Sequence, residues 1–248
     1  MRYFLAVGFS LLAVLPGLGV AAECSAQSGP QRVPLLELYT SEGCDSCPPA
    51  DRWVSELRPR GFDAARLVVL AFHVDYWDKL GWVDRFGQAR FSERQQLVNR
   101  RNGARFVYTP QLVLNGKDYR RSDDFARRLA EIARVSAKAA IRLASKPAGD
   151  RLTVTGAWSG ADAPHAQGWL ALYENHLSTE VKAGENRNKR LHHDFVVRDI
   201  AGPFASGPLS HAFMLDASWK RPHLGVASFV QDARSGDVLQ ALALYACF

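Results

Sequence analysis

The chain has 248 residues, 47% of them hydrophobic and 10% aromatic, with 31 Lys and Arg against 25 Asp and Glu for a net charge of +6. That length suffices for one large domain or two small ones. Basic residues in "VNRRNGARF" and "YRRSDDFARR" are interleaved with acids and apolar residues. The basic stripe with stacking aromatics that marks a nucleic-acid surface is therefore missing, and no nucleic-acid partner is expected.

Residues 1–22 read as a signal peptide. Arg2 is the positive n-region, "YFLAVGFSLLAVLPGLGV" is the apolar h-region, and Val20 and Ala22 are the small residues before cleavage at Glu23. The mature chain is expected to be periplasmic or secreted, with no stable membrane anchor once the leader is removed. In such a compartment disulfides persist, so Cys24, Cys44, Cys47 and Cys247 are candidates for oxidation. Four cysteines allow three connectivities. Because the termini of a compact domain often lie close together, a structural Cys24–Cys247 disulfide is the economical pairing. It leaves Cys44 with Cys47.

In chain order, "VPLLELYT" reads as a buried strand and "PPADRWVSELRP" as a helix with Pro at its first turn. "RLVVLAFHVD" is a second apolar strand, and "DRFGQARFSERQQLVNRRNG" a helix ended by Gly103. "RFVYTPQLVLNGKDYR" reads as strand, break at Pro110, strand and Asn115-Gly116 turn. "SDDFARRLAEIARVSAKAA" is the clearest helix, with Ser122 as N-cap and Phe125, Leu129, Ile132 and Ala133 on one face. Beyond residue 140 the helical period vanishes, and about seven strand-like segments follow with turn signals such as "KPAGD" and "DARSGD". The expected organisation is thus a signal peptide at 1–22, an α/β domain at 23–140 and an all-β sandwich-like domain at 141–248.

The chemistry centres on Cys44-Asp45-Ser46-Cys47, where a strand ends and a helix begins. Free amides and the helix dipole at such a junction stabilise a thiolate, which makes Cys44 the expected attacking sulfur and Cys47 the resolving one. The "VYTPQLVLNG" segment resembles the cis-proline segment of thioredoxin-like and glutaredoxin-like proteins. That resemblance implies a thioredoxin-like first domain, a cis bond at Pro110 facing the dithiol, and a Thr109 backbone that pairs with an extended substrate. Together with "LYTSEGCDSCPPAD", "FHVDYWDKLGWVD" and "LYENHLSTEVKAGENRNKRLHHDFVVR", it is similar to the secreted thioredoxin-like family filed as domain of unknown function 1223. The family implies a fold and a dithiol site rather than a substrate.

Four residues are expected to support the pair. Glu37 resembles the buried strand carboxylate that takes a proton from the resolving cysteine, and the alternative is a half-exposed strand residue. His73 and Asp75, two apart at a strand end, share a face and read either as a proton-handling pair or as a hydrogen-bonded pair under the "YWDKLGW" loop. Asp45 places a negative charge between the cysteines and opposes thiolate formation. Tyr76, Trp77 and Trp82 read as cover for the sheet. His192, His193 and Asp194 look like a metal cluster, but strand alternation turns His193 away from the other two, which favours structural contacts.

These features lead to an exported thiol-disulfide oxidoreductase acting through Cys44 and Cys47 on protein or small-thiol substrates, nearer a reductase or isomerase than a strong oxidant. It needs no cofactor beyond its own disulfide, and a redox-recycling partner is expected. Two other readings remain: a copper chaperone using Cys44, Cys47 and His73 as soft and borderline ligands, and a noncatalytic binding factor. The dithiol site itself carries no expected metal.

Overall fold

A computed structural model describes residues 24–120, 123–160 and 164–245. The leader expected at 1–22, the Ser122 cap and Cys247 of the expected terminal disulfide lie outside the described residues. Among those described, no helix is long and apolar enough to cross a membrane.

Strand β1 (Cys24–Gln27) is followed by β2 (Leu35–Thr40), which leads through the two cysteines into α1 (Pro48–Ser55). Next come β3 (Val68–His73), α2 (Ala89–Arg101), the hairpin β4 (Gln111–Leu114) and β5 (Lys117–Tyr119), and α3 (Phe125–Ala133). The remainder is built on β6 (Ala140–Ala148), β7 (Arg151–Ser159), β8 (Ala166–Glu174), β9 (Leu177–Glu180), β10 (Arg190–His193), β11 (Val196–Phe204), β12 (Gly207–Met214), β13 (Leu224–Asp232) and β14 (Val238–Tyr245). The local signals explain these elements. Pro48 and Pro49 open α1, where no amide partner is needed. Phe91, Gln95 and Val98 give α2 one buried stripe, and Gly103 ends it at a positive φ of 69°. Every residue of β2 and β3 is buried, as expected for strands covered on both faces.

The pairing of these elements corrects the expected fold class. The protein is not an α/β thioredoxin-like domain followed by an all-β domain. Strands from both halves of the chain form one eight-stranded mixed sheet, ordered β14-β13-β8-β11-β3-β2-β4-β5. The seam is β11, which runs antiparallel to β8 on one side and parallel to β3 on the other, with Val196 opposite Ala71. There the amide of Ala71 donates to the carbonyl of Phe195 at 2.8 Å. Alternation of apolar residues identifies strands but carries no information about which strands become neighbours, so the change from helical to strand pattern at residue 140 looked like a boundary between folds.

A second, four-stranded antiparallel sheet, β1-β6-β7-β12, packs on the C-terminal part of the large one. Ile141, Leu152, Val154 and Phe213 from the small sheet meet Leu170, Leu172, Val226 and Val230 from the large one. Strands β9 and β10 form a separate hairpin. Its tip, residues 181–189, reads "VKAGENRNK", and it lies against the cysteine segment.

Candidate functional site

Cys44 and Cys47 form a disulfide with their Cα atoms 5.4 Å apart. Cys47 occupies the N-cap position of α1, and its carbonyl accepts the amides of Ala50 and Asp51. The Thr109–Pro110 bond is cis, as the resemblance implied. Pro110 lines a cavity of about 200 Å³ together with Ser46, Pro49, Ala50 and Tyr108, so the proline and the start of α1 share one surface depression. Thr109 is held from the other side, its hydroxyl accepting from the indole Nε1 of Trp77 at 2.7 Å.

Burial is where the dithiol departs from expectation. An attacking sulfur has to be reached by its substrate, yet both cysteines are 0% exposed. Contacts to this segment come from far along the chain. Asn186, itself buried at the tip of the β9–β10 hairpin, donates through its amide nitrogen to the carbonyls of Glu42 and Cys44, each at 2.8 Å. Its side-chain oxygen accepts from Lys189, which fixes the orientation of the amide. The neighbouring Glu185 carboxylate accepts the exposed amide of Asp45 at 3.1 Å. Gly184 packs on Trp82, and a Cβ there would lie 3.1 Å from the Trp82 Cβ.

The supporting residues find different partners from those expected. Glu37 and Thr40 are three apart on β2 and so face opposite sides of the sheet. The Thr40 hydroxyl donates to Asp51 of α1, whereas Glu37 Oε1 accepts from Arg94 Nε of α2 at 2.7 Å. Glu37 is thus an ion-pair partner across the sheet from the cysteine helix. His73 does not pair with Asp75. Its Nδ1 lies 2.7 Å from Asp84 Oδ2, with both side chains fully buried, while Asp75 accepts from the hydroxyl of Ser92. Asp45 remains exposed beside Cys44.

Beneath the cysteine segment lies a polar cluster that the sequence did not reveal. His193 at the end of β10 is buried, with Nε2 3.2 Å from Glu42 Oε1 and Nδ1 3.9 Å from Asp51 Oδ1. Its ring meets that of His73 edge-on, centroids 4.9 Å apart. Burial works against a charge on His193, but the carboxylates of Asp51 and Glu42 prevail and push its pKa up to about 10. Burial likewise opposes ionisation of Glu42, and the hydrogen bonds from His193 and Trp82 still bring it below the usual carboxylate range. Asp84 follows the same pattern, with His73 and the amides of Glu42 and Phe86 outweighing its burial. The potential ligand atoms of Asp51, His73 and His193 lie within 4.8 Å of one another, and this group contains neither cysteine. One signal for it was available: Asp51 is four residues after Cys47, on the same helix face. Asp84, His193 and Asn186 carry no comparable local signal.

A family model described as protein of unknown function, DUF1223, matches residues 35–231. The chain belongs to the DUF1223 family. This DUF1223 chain is 30% identical to a protein from Agrobacterium tumefaciens whose crystal structure matches with a TM-score of 0.62, over 86% of this chain and 95% of that one. It also resembles HBP35 of Porphyromonas gingivalis in fold, with a TM-score of 0.65, 15% identity and coverage of 87% of this chain and 76% of that one. No curated protein matches the sequence. The matched span of DUF1223 takes in both cysteines, Asp51, His73, Asp84, Pro110, Asn186 and His193, and so the whole site described above.

Proposed function

We propose that the protein is an exported thiol-disulfide oxidoreductase working through Cys44 and Cys47. The observation that carries this reading is the Cys44–Cys47 disulfide at the β2–α1 junction, next to the depression lined by cis-Pro110. In the reduced enzyme, the Cys44 thiolate attacks a substrate disulfide, forms a mixed disulfide and releases one substrate thiolate. The Cys47 thiolate then attacks Cys44 and releases the second, which returns the Cys44–Cys47 disulfide and leaves the substrate reduced by two electrons. An exported dithiol partner restores the reduced enzyme. Substrates are protein or small-molecule disulfides in the periplasm or outside the cell.

The charges around Cys44 set the direction. The Asp45 side chain and the Glu185 carboxylate on the Asp45 amide place negative charge beside the attacking sulfur, and this raises the cost of a thiolate and favours the disulfide. A reduction potential nearer about −270 mV than about −120 mV is expected. Equilibration with glutathione redox buffers measures it, and a value at the oxidising end would exclude a reductase.

Trapping tests the reaction itself. Cys47→Ser should accumulate mixed disulfides through Cys44 in the exported fraction of cells, and Cys44→Ser should accumulate none. The full burial of both sulfurs supports a second reading, a noncatalytic binding factor with a permanent disulfide. Equal, background-level adducts in both variants would establish that alternative.

A further inference from the structure

The cluster beneath the dithiol brings two histidines and three carboxylates together in the interior. Each of its two histidines gives one ring nitrogen to a buried carboxylate, His73 Nδ1 to Asp84 and His193 Nε2 to Glu42. The opposite nitrogens, His73 Nε2 and His193 Nδ1, are buried without any hydrogen-bond partner. Both side chains are at least nine-tenths buried, so solvent does not satisfy these atoms. Asp51 completes the set: its Oδ2 takes the Thr40 hydroxyl, and its Oδ1 faces His193 Nδ1 at 3.9 Å.

The geometry points to a divalent transition-metal site, with Zn²⁺ the chosen probe, formed by His73 Nε2, His193 Nδ1 and Asp51 Oδ1. Two imidazoles and a carboxylate are a donor set for first-row divalent ions. A carboxylate on the far nitrogen of each ligating histidine is the arrangement that fixes its tautomer and aims its free lone pair at the ion. Asp84 and Glu42 take that place for the two histidines, and the Thr40 hydroxyl orients the Asp51 carboxylate. Tetrahedral bonds of 2.0–2.1 Å set ligand atoms about 3.3 Å apart, so side chains already within 4.8 Å need only a small inward adjustment. The surroundings suit a cation: Glu42, Asp51 and Asp84 are three buried carboxylates beside the two imidazoles. The site is separate from the redox reading, since neither cysteine is a ligand.

Zinc titration of the mature chain against a chromophoric chelator, with metal content measured on the desalted protein, tests this site. One Zn²⁺ per chain and a rise in thermal midpoint are expected. Asp84→Asn, a supporting residue, should weaken the affinity about 10- to 100-fold, and Asp51→Asn and His193→Gln should weaken it further, each variant first shown to be folded by circular dichroism. A Cys44→Ser/Cys47→Ser double variant should bind as the native chain does. Failure of the folded native chain to bind Zn²⁺ saturably overturns the assignment. So does binding that survives both Asp51→Asn and His193→Gln, and so does binding that disappears with the cysteines.

Discussion

Replacing Arg94 with methionine is expected to destabilise the protein by about 3–5 kcal/mol, the cost of leaving a buried ionic partner uncompensated. Glu37 has a side chain 1% exposed and Arg94 one 9% exposed, so water replaces little of the lost interaction. The guanidinium also fills space in an aromatic layer, its carbon 5.0 Å from the Phe229 ring, 5.4 Å from Phe72 and 5.8 Å from Trp169. Phe72 belongs to β3, whereas Phe229 belongs to β13 and Trp169 to β8, so Arg94 ties together the parts of the large sheet that come from the two halves of the chain. Methionine keeps much of the apolar stem and deletes the charge, which makes the Glu37 carboxylate the main casualty. The double change Arg94→Met/Glu37→Leu should therefore recover most of the loss, because apolar replacements of a buried pair are often neutral. Urea denaturation of the four corners of this cycle measures the coupling. A loss below about 1 kcal/mol in the single variant would place the pair among solvent-screened surface bridges, contrary to its burial.

The same pair shows how far the sequence could be read. Glu37 was identifiable as a buried strand carboxylate, since it sits within "LLELYT", but its facing depended on register, and a one-residue difference puts a side chain on the other face. The helices and most strands were legible because their periods are local. Pro48 and Pro49, the Asn115-Gly116 turn and the Thr109–Pro110 break were legible for the same reason. His73 was recognised as a polar residue at a strand end, but its neighbour Asp75 was chosen as partner over Asp84, eleven residues away. Nothing in the intervening loop specifies that the chain returns there. His193 was set aside by strand alternation, which correctly turned it away from His192 but gave no view of what it faced. It faces Glu42, Asp51 and His73, contributed by three separate segments. The joining of β11 to β3 lies equally beyond any local pattern, and it is what brings the β10 end to the cysteine segment.

That long-range closure leads to the second large effect. Asn186→Ala should accelerate reduction of the Cys44–Cys47 disulfide by dithiothreitol about 10- to 100-fold. With both sulfurs inaccessible, a thiol must wait for the 181–189 tip to lift from the cysteine segment, so the rate scales with the population of that open form. Asn186 holds the closed form through two hydrogen bonds to main-chain carbonyls. Losing both, at a net of about 0.5–1.5 kcal/mol per hydrogen bond, costs about 1–3 kcal/mol, and each 1.4 kcal/mol shifts an opening equilibrium about tenfold. Glu185→Ala removes one contact at the exposed rim and should change the rate only a few-fold. Alkylation followed by intact-mass measurement gives both rates. Low urea separates local from global opening: a local event exposes little surface and responds weakly to denaturant, whereas reduction through global unfolding rises with the full slope. A rate within twofold of the native one in Asn186→Ala would mean that the hairpin does not gate the disulfide. A steep urea dependence in the native chain would mean that reduction awaits unfolding of the whole protein, and an enzyme that exchanges its disulfide in every turnover is incompatible with that.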